Sequence, residues 1–190
     1  MNQKWERVRM NKFFNEAILL ELVKKLRDQG SWCGETHIQK AVFFLQSLFD
    51  GPLKYNFIFY KHGPFSFDLR DEITAMRAHS IISREMRHPA YRESLKPGPS
   101  GELLNKTFSK RIAPYEGEID FIARKFKSKG VKDLEKLSTA LFMSTSCGGL
   151  SIEERAKQMH ELKPHITIEQ AIESIHEVNK IISDARKIKK

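Results

Sequence analysis

Residues 36–66 constrain the fold of this chain more than any other part of the sequence. They read THIQKAVFFLQSLFDGPLKYNFIFYKHGPFS, an apolar segment followed by an aromatic segment and a Gly-Pro dipeptide. Apolar side chains recur at helical spacing from Ile38 to Phe49, and this wide stripe predicts a mostly buried helix. Thr36 and Gln39 have the S/T-x-x-E/Q spacing of a capping box, so we expect the helix to begin at Thr36.

An aromatic strand and a tight turn are predicted after this helix. Residues 55–60 are aromatic and β-branched, as is typical of strands. Residues 61–64, Lys-His-Gly-Pro, predict a turn, because Gly permits a positive φ and Pro fixes the next φ. Ser66 can then N-cap a third helix. The buried face of that helix would carry Leu69, Ile73 and Met76.

The remaining N-terminal segments complete an α+β pattern. An amphipathic helix is predicted over residues 13–29, a strand over 81–85 and a partner strand over 91–95. The resulting order of helix, helix, strand, helix, strand, strand predicts a helix-turn-helix or winged-helix-like unit over residues 11–97. The aromatic strand before the third helix departs from the usual winged-helix order.

The C-terminal part, residues 100–188, is predicted to be helical and to share one core with the N-terminal unit. One helix follows the apolar positions of residues 112–126, and Asp133 can cap the next. Two further capping boxes, Ser151/Glu154 and Thr167/Gln170, mark the starts of the last two helices. The predicted fold class is therefore α+β, mainly helical.

The charge balance favours an acidic partner. The chain has 33 Lys and Arg against 24 Asp and Glu, a net charge of +9. Nucleic acid, an acidic protein or an anionic membrane face would each match this balance. The two cysteines, Cys33 and Cys147, lie far apart and have no zinc-site spacing, which favours a reducing cytoplasm. Neither a signal peptide nor a membrane helix is predicted.

A short set of residues within this stretch resembles a known family. The segments THIQKAVFFLQ and YNFIFYKHGPFSFDL are similar to the YwgA-like bacterial family and, more distantly, to the Panacea or SocA-like domain. These domains pair a "QK-aromatic-leucine" helix with an aromatic strand that ends in Tyr-x-x-Gly-Pro. The matching residues here are Gln39, Lys40, Phe44, Leu45, Tyr60, Gly63, Pro64, Ser66 and Leu69.

The resemblance implies function by binding. Panacea-type domains are antitoxins that neutralise a partner toxin by binding it, and YwgA-like members are largely uncharacterised. The resemblance therefore implies a protein partner, either a toxin or a subunit of a phage-defence complex, and brings no catalytic residues. It also implies a non-enzymatic protein without cofactors. Oligomerisation is left open.

Three motif-linked side chains form the first candidate site. Lys40 lies near the start of the apolar helix, and Lys61 and His62 lie in the predicted turn. With Tyr60 they could surround a concave surface that binds an anion, a phosphate or an acidic peptide, helped by helix N-termini. The competing interpretation is structural: Tyr60 and Lys61 end a strand, and His62 fills a turn.

DNA binding is the second hypothesis. In a helix-turn-helix the second helix enters the major groove. Its exposed positions would be His37, Gln39, Lys40, Gln46 and Ser47. Lys40 is the one permanently charged side chain on this face. The better candidates for phosphate binding are Lys24, Lys25 and Arg27 and, near the hairpin, Arg84, Arg87, His88 and Arg92.

The alternative to a binding protein is a metal-dependent nuclease or another hydrolase. Such an enzyme would use Asp68, Glu72 or His62 and would show carboxylates converging beside His62. No metal-ligand spacing supports it, since Pro164 separates His160 from His165 and no HExxH occurs. The sequence therefore predicts no catalytic residue and no metal site.

Overall fold

The computed structural model describes residues 2–88, 93–146 and 149–188. Within them the fold is α+β and mainly helical, as predicted. The helices are α1 Asn2–Asp28, α2 Glu35–Leu48, α3 Phe67–Ala78, α4 Gly101–Ile112, α5 Glu116–Lys125, α6 Val131–Ser146, α7 Ile152–Leu162 and α8 Ile168–Ile188, with a 3-10 turn at Ala113–Tyr115. The strands are β1 Ile58–Tyr60, β2 Gly63–Phe65, β3 Ile82–Glu85 and β4 Ser94–Pro97. None of these helices is long and apolar enough to span a bilayer.

Helix α2 is the central helix of the core. Residues 37–45 are all buried, and α2 contacts α1, α3, α5, α6 and α8. The prediction of a mostly buried helix is confirmed. Its predicted start is wrong, because α2 begins at Glu35 with Gly34 as an N-cap that has no side-chain hydrogen bond. Thr36 and Gln39 form no capping box, because Gln39 bonds elsewhere.

The first hairpin is shorter than predicted and turns earlier. Strand β1 begins at Ile58 and not at Tyr55, and it pairs antiparallel with β2 from Ile58↔Phe65 to Tyr60↔Gly63. Lys61 and His62 alone form the turn, while Gly63 and Pro64, predicted as turn residues, lie in β2. Proline is tolerated there because both strands of this two-stranded sheet are edge strands, where the missing backbone N–H need not be part of the ladder.

The second hairpin joins β3 and β4, with Ile82 opposite Pro97 and Glu85 opposite Ser94. The predicted strand at residues 81–85 is confirmed, and its partner β4 runs from Ser94 to Pro97, two residues beyond the predicted end at residue 95. Two backbone hydrogen bonds fix this position: Leu95 N donates to Cys33 O at 2.8 Å, and Gly98 N donates to Ile81 O at 2.8 Å. Tyr91, Arg92 and Cys147 lie outside the described residues.

The helices after residue 100 pack against the N-terminal elements through aromatic contacts. The Phe44 and Phe126 rings lie 5.2 Å apart, and those of Phe49 and Phe121 lie 5.8 Å apart. One cluster of buried side chains extends from α1 to α8. The single helix predicted over residues 112–126 is interrupted by the 3-10 turn that contains Pro114. The boundary between the two predicted parts, at 97–100, remains a prediction.

Three predicted caps are present. Ser66 Oγ accepts from Leu69 N at 3.3 Å, and the Ser151/Glu154 and Thr167/Gln170 pairs exchange reciprocal backbone–side-chain hydrogen bonds. Asp133 does not cap α6 as its N-cap residue. It lies within the first turn and accepts from Gly130 N at 3.3 Å.

The capping box of α7 gives a first prediction. Ser151→Ala removes the hydrogen bond to Glu154 N, so we expect the free energy of unfolding to fall by about 1 kcal/mol. Urea denaturation of both proteins measures it. Ser109→Ala, at an exposed serine in the interior of α4, is the control and should leave the stability unchanged or slightly higher. Equal losses in the two variants would contradict the capping role.

Candidate functional site

Two glutamines of α2 hold the segment that contains the first hairpin. Gln39 donates to Ser66 O at 2.9 Å and accepts from Ser66 N at 3.0 Å. Gln46, two helical turns later, donates to Tyr55 O at 3.1 Å and accepts from Tyr55 N at 2.9 Å. Each side-chain amide thus forms the same pair of hydrogen bonds with one residue's backbone N–H and C=O that a residue of an adjacent antiparallel strand would form. The two contacts fix both ends of residues 55–66 along α2.

Lys40 makes the third link between α2 and the hairpin. Its side chain is 1% exposed, and Nζ donates to Pro64 O at 2.7 Å. Burial lowers the pKa of Lys40 to about 8, because an ammonium ion loses hydration there, and nearby Glu135 partly offsets the effect. Lys40 is therefore part of the protein interior and not an exposed groove-binding cation.

Helix α6 and the α7–α8 connection hold the turn of the hairpin from the other side. Gly63 has φ +82°, and a Cβ there would lie 3.1 Å from Thr139 Oγ1, so only glycine lets the hairpin approach α6 this closely. Lys163 Nζ donates to Lys61 O and lies 3.1 Å from Glu135 Oε1. The His62 Nδ1 atom lies 3.4 Å from Glu135 Oε2.

The motif residues that carry the resemblance therefore have a structural role in this chain. Gln39 and Lys40 bind the backbone of Ser66 and Pro64, Gly63 allows the close approach, and Ser66 caps α3. Sequence analysis grouped these positions only through the family resemblance and predicted no contacts between them. The hydrogen bonds between them become visible only in the folded structure, because the bonded residues are 24 to 27 positions apart in the sequence.

A cavity of about 1150 Å³ opens beside this network, and it brings together four of the six predicted anion-binding residues. Lys40, Lys61, His62 and Arg84 line it, as does Tyr60. Its wall also contains Arg77, Lys129 and Lys132, so six Lys and Arg side chains face three acidic ones, Glu35, Glu93 and Asp133. The local charge therefore favours an anion.

The cavity also contains a group that sequence analysis missed. The N-terminus of α6, with residues 128–133 of the preceding loop and first turn, also lines the cavity. Arg77 reaches the same cavity from α3. Nothing in the sequence connects these positions with residues 36–63, because only the packing of α6 on α2 places them together.

His37 lies at the start of α2, in the wall of the cavity. It was predicted to be exposed, but it is only 3% exposed. Burial lowers the pKa of His37 below its ordinary value of 6.5, and the backbone of Lys129 partly opposes this. Gln39 is 1% exposed, so the predicted groove-facing side of α2 is wrong at three positions, including Lys40. Of the other two predicted positions, Gln46 is half-buried and Ser47 is exposed, so too little of the predicted face is open to enter a groove.

The cations near the second hairpin make contacts within the protein. Arg84 pairs with Glu93 at 3.0 Å. Arg87 donates to Ser31 O at 3.0 Å and lies 5.4 Å from the centroid of the Trp32 ring. Arg27 pairs with Glu85 at 2.7 Å, and Lys24 with Glu21 at 3.0 Å. Arg92 lies outside the described residues.

An exposed apolar face lies next to the cavity. Ile58, Tyr60 and Phe67 are 43%, 46% and 40% exposed. The Tyr60 ring lies 5.6 Å from that of Phe67, and the Arg70 guanidinium lies 5.0 Å from the Phe67 centroid. We call Ile58, Tyr60, Phe67 and Arg70 the aromatic face. Tyr60 belongs both to this face and to the cavity wall.

The residues of the nuclease alternative do not line one cavity. His62 lines the basic cavity, but Asp68 and Glu72 are not among its described lining residues. Glu72 instead interacts with buried Glu16. Across residues 2–88, 93–146 and 149–188, no group of three or more His, Cys, Asp or Glu side chains is arranged to hold a metal ion.

Comparison with known proteins adds no assignment. The relation to the YwgA-like and Panacea families therefore remains a prediction that depends on the motif residues. No protein-family model matches the chain, and no curated protein matches it.

Proposed function

We propose that this chain is a non-enzymatic binding protein, of the antitoxin or defence-regulator type, that docks a protein partner on the aromatic face. The observation that carries the proposal is the continuity of exposed aromatic side chains with a basic rim. Tyr60 joins the aromatic face to Lys61 and His62, both of which are exposed at the mouth of the cavity.

The composition of this surface is that of a protein–protein interface. Aromatic side chains and arginine are enriched at the energetic centres of such interfaces, and the rim is usually polar. The three large apolar side chains are 40% or more exposed, and burying them would stabilise a complex. The complementary partner surface combines apolar side chains with Asp and Glu, which would meet Lys61.

DNA binding is the second candidate, and the net charge of +9 favours it. Helix α2 offers no groove-binding face, and Arg84 and Arg87 already contact groups of this protein. We therefore expect any affinity for duplex DNA to be non-specific and to fall steeply between low and high salt.

Paired substitutions on the aromatic face test the protein-binding function. We expect the product of a flanking gene to co-purify with the wild-type chain, and Ile58→Ala/Phe67→Ala to weaken this complex at least 10-fold, because the central apolar contacts are lost. Leu103→Ala, at an exposed residue of α4 outside the cavity, is the control and should leave the affinity unchanged. Calorimetric titration measures each affinity.

Two outcomes would contradict the proposal. One is that no flanking-gene product binds. The other is that the double variant binds as tightly as the control. A gel shift with duplex DNA at two salt concentrations tests the second candidate, DNA binding. A sequence-specific complex that persists at high salt would favour DNA as the partner.

A further inference from the structure

We infer that the protein partner adds an extended strand to the free edge of β1, so that its backbone pairs with the backbone of Phe59. The inference rests on the proposed function, because it specifies how the partner binds beside the aromatic face. The occupant of the edge is an extended segment of the partner in which apolar and polar side chains alternate. The end of this segment next to Lys61 carries Asp or Glu.

The hydrogen-bond pattern of the first hairpin determines which backbone groups of β1 are free. In an antiparallel pair of strands, opposite residues alternate between pairs that exchange two backbone hydrogen bonds and pairs that exchange none. Phe59 lies opposite Pro64, which has no N–H, so this pair exchanges none. The bonded pairs are therefore Ile58 with Phe65 and Tyr60 with Gly63. It follows that the N–H and C=O of Phe59 point away from β2.

The other edge of the hairpin, on β2, is occupied by side chains of α2. By the same alternation Pro64 O points away from β1, and it accepts from Lys40 Nζ at 2.7 Å. One residue beyond β2, the backbone of Ser66 exchanges two hydrogen bonds with the Gln39 side chain. Helix α2 thus satisfies the β2 edge as a further strand would, which protects it from pairing with another chain.

The β1 edge has no such cover in the part of the chain that the structure describes. There the sheet consists of β1 and β2 alone, and no other group is hydrogen-bonded to the Phe59 backbone. The Phe59 ring packs inward, 5.2 Å from the Phe142 ring, whereas Ile58 and Tyr60 share the outer face and are 43% and 46% exposed. An open edge with an unpaired N–H and C=O is the template that β-strand addition uses.

Charge and strand geometry favour an acidic segment of a partner over a second copy of this chain. Lys61 follows β1 directly and is exposed, so a carboxylate at the end of the added strand would meet its ammonium group. Two copies of this chain would each bring a net charge of +9 and would repel. Every second side chain of the added strand would lie beside Ile58 and Tyr60, so apolar residues there extend the aromatic face.

Amide hydrogen exchange of the free chain tests whether the edge is open. We expect the Phe59 amide to exchange about 10-fold faster than those of Ile58 and Tyr60, since only the latter two donate within the hairpin. In the complex with the flanking-gene product, exchange at Phe59 should slow about 10-fold, because a partner carbonyl then accepts from this amide. A Phe59 amide that is equally slow in the free chain, or unchanged in the complex, would overturn the inference.

Two substitutions at one position separate the backbone from the side chain. Phe59→Ala and Phe59→Pro both remove the ring that packs on Phe142, but only proline also removes the N–H. Proline is tolerated in an edge strand where its nitrogen faces solvent, so the two variants should have similar stabilities in urea. We expect Phe59→Pro to bind the flanking-gene product about 10-fold more weakly than Phe59→Ala, because a partner carbonyl is left unpaired. Equal affinities, or a much less stable proline variant, would contradict a free edge that pairs with the partner.

These outcomes differ from a failure of the proposed function. If the flanking-gene product does not bind the wild-type chain, the proposed function fails and strand addition fails with it. If binding depends on Ile58 and Phe67 but is the same for both Phe59 variants, the function stands and strand addition alone fails. Sedimentation of the chain by itself tests the other occupant: a dimer that Phe59→Pro dissociates and Phe59→Ala does not would place a second copy at the edge and overturn the assignment to a partner.

Discussion

Gln39→Leu should lower the free energy of unfolding by about 3 kcal/mol, because it leaves the buried Ser66 N–H without an acceptor. Ser66 is 0% exposed, so water cannot replace the lost amide oxygen. The Ser66 carbonyl loses the Gln39 donor but keeps Arg70 N at 3.1 Å. Leucine has nearly the same volume as glutamine, so the loss comes from hydrogen bonding and not from a cavity.

Gln46→Leu is the matched control for this prediction. It removes the same pair of hydrogen bonds from the same helix, but Gln46 and Tyr55 are only half-buried, so water can solvate the released groups. We expect a loss of about 1 kcal/mol. Urea denaturation of the three proteins under one set of conditions gives both values, and equal losses would show that burial of Ser66 does not decide the effect.

The second large effect is a pH dependence that comes from Glu16. This carboxyl on α1 is 0% exposed, and Lys12 forms a long ion pair with it at 4.0 Å. Burial is the largest cause that raises the pKa of Glu16 from 4.5 to about 7. The adjacent Glu72 carboxyl on α3 contributes to this rise through a hydrogen bond and through repulsion between the two carboxylates. The same charges help to raise the pKa of Tyr55, which is mainly raised by burial.

The direction of the effect follows from the raised pKa of Glu16. Between pH 4.5 and 7 the folded protein holds a proton that the unfolded chain releases, so stability is present at low pH and is lost as the pH rises through 7. A shift of this size corresponds to about 3 kcal/mol. Relative to Glu16→Gln, the wild-type protein should therefore lose about 3 kcal/mol between pH 4.5 and 8.

Denaturation midpoints of the two proteins at several pH values measure this difference. Titrating groups that do not interact with Glu16 are common to both proteins and cancel when the two stabilities are subtracted, so the difference reports Glu16 together with its coupled neighbour Glu72. Glu102→Gln, at an exposed residue of α4, is the control and should give a nearly constant difference from wild type. A constant difference for Glu16→Gln as well would contradict the raised pKa, since it would mean that this carboxyl titrates alike in the folded and unfolded chains.

The capping boxes show how far local sequence determines structure here. Ser151/Glu154 and Thr167/Gln170 were predicted from spacing and are present, because all four bonding groups lie within one turn. Thr36/Gln39 has the same spacing, yet Gln39 bonds to Ser66. A side chain that faces the core has distant backbone groups within reach, and the spacing alone cannot reveal them.

The candidate site likewise contains some residues that the sequence identified and others that only the tertiary structure brought together. Sequence analysis identified Lys40, Lys61, His62 and Arg84, because basic residues near a motif or a predicted hairpin can be read directly from the sequence. All four line one cavity. It could not identify Arg77, Lys129 and Lys132, and it placed His37 on an exposed face. Residues 128–133 reach the cavity only because α6 packs on α2.

By itself, then, the sequence determined the fold class, the buried central helix and the starts of α3, α7 and α8, since hydrophobic periodicity and caps act over a few residues. Only the tertiary structure decided what the central motif does. It turned Gln39 and Lys40 inward, onto the backbone of Ser66 and Pro64, because a buried amide or carbonyl must find its partner wherever the fold provides one. It also assembled the basic cavity from three helices and the two hairpins, whose side chains no sequence spacing relates.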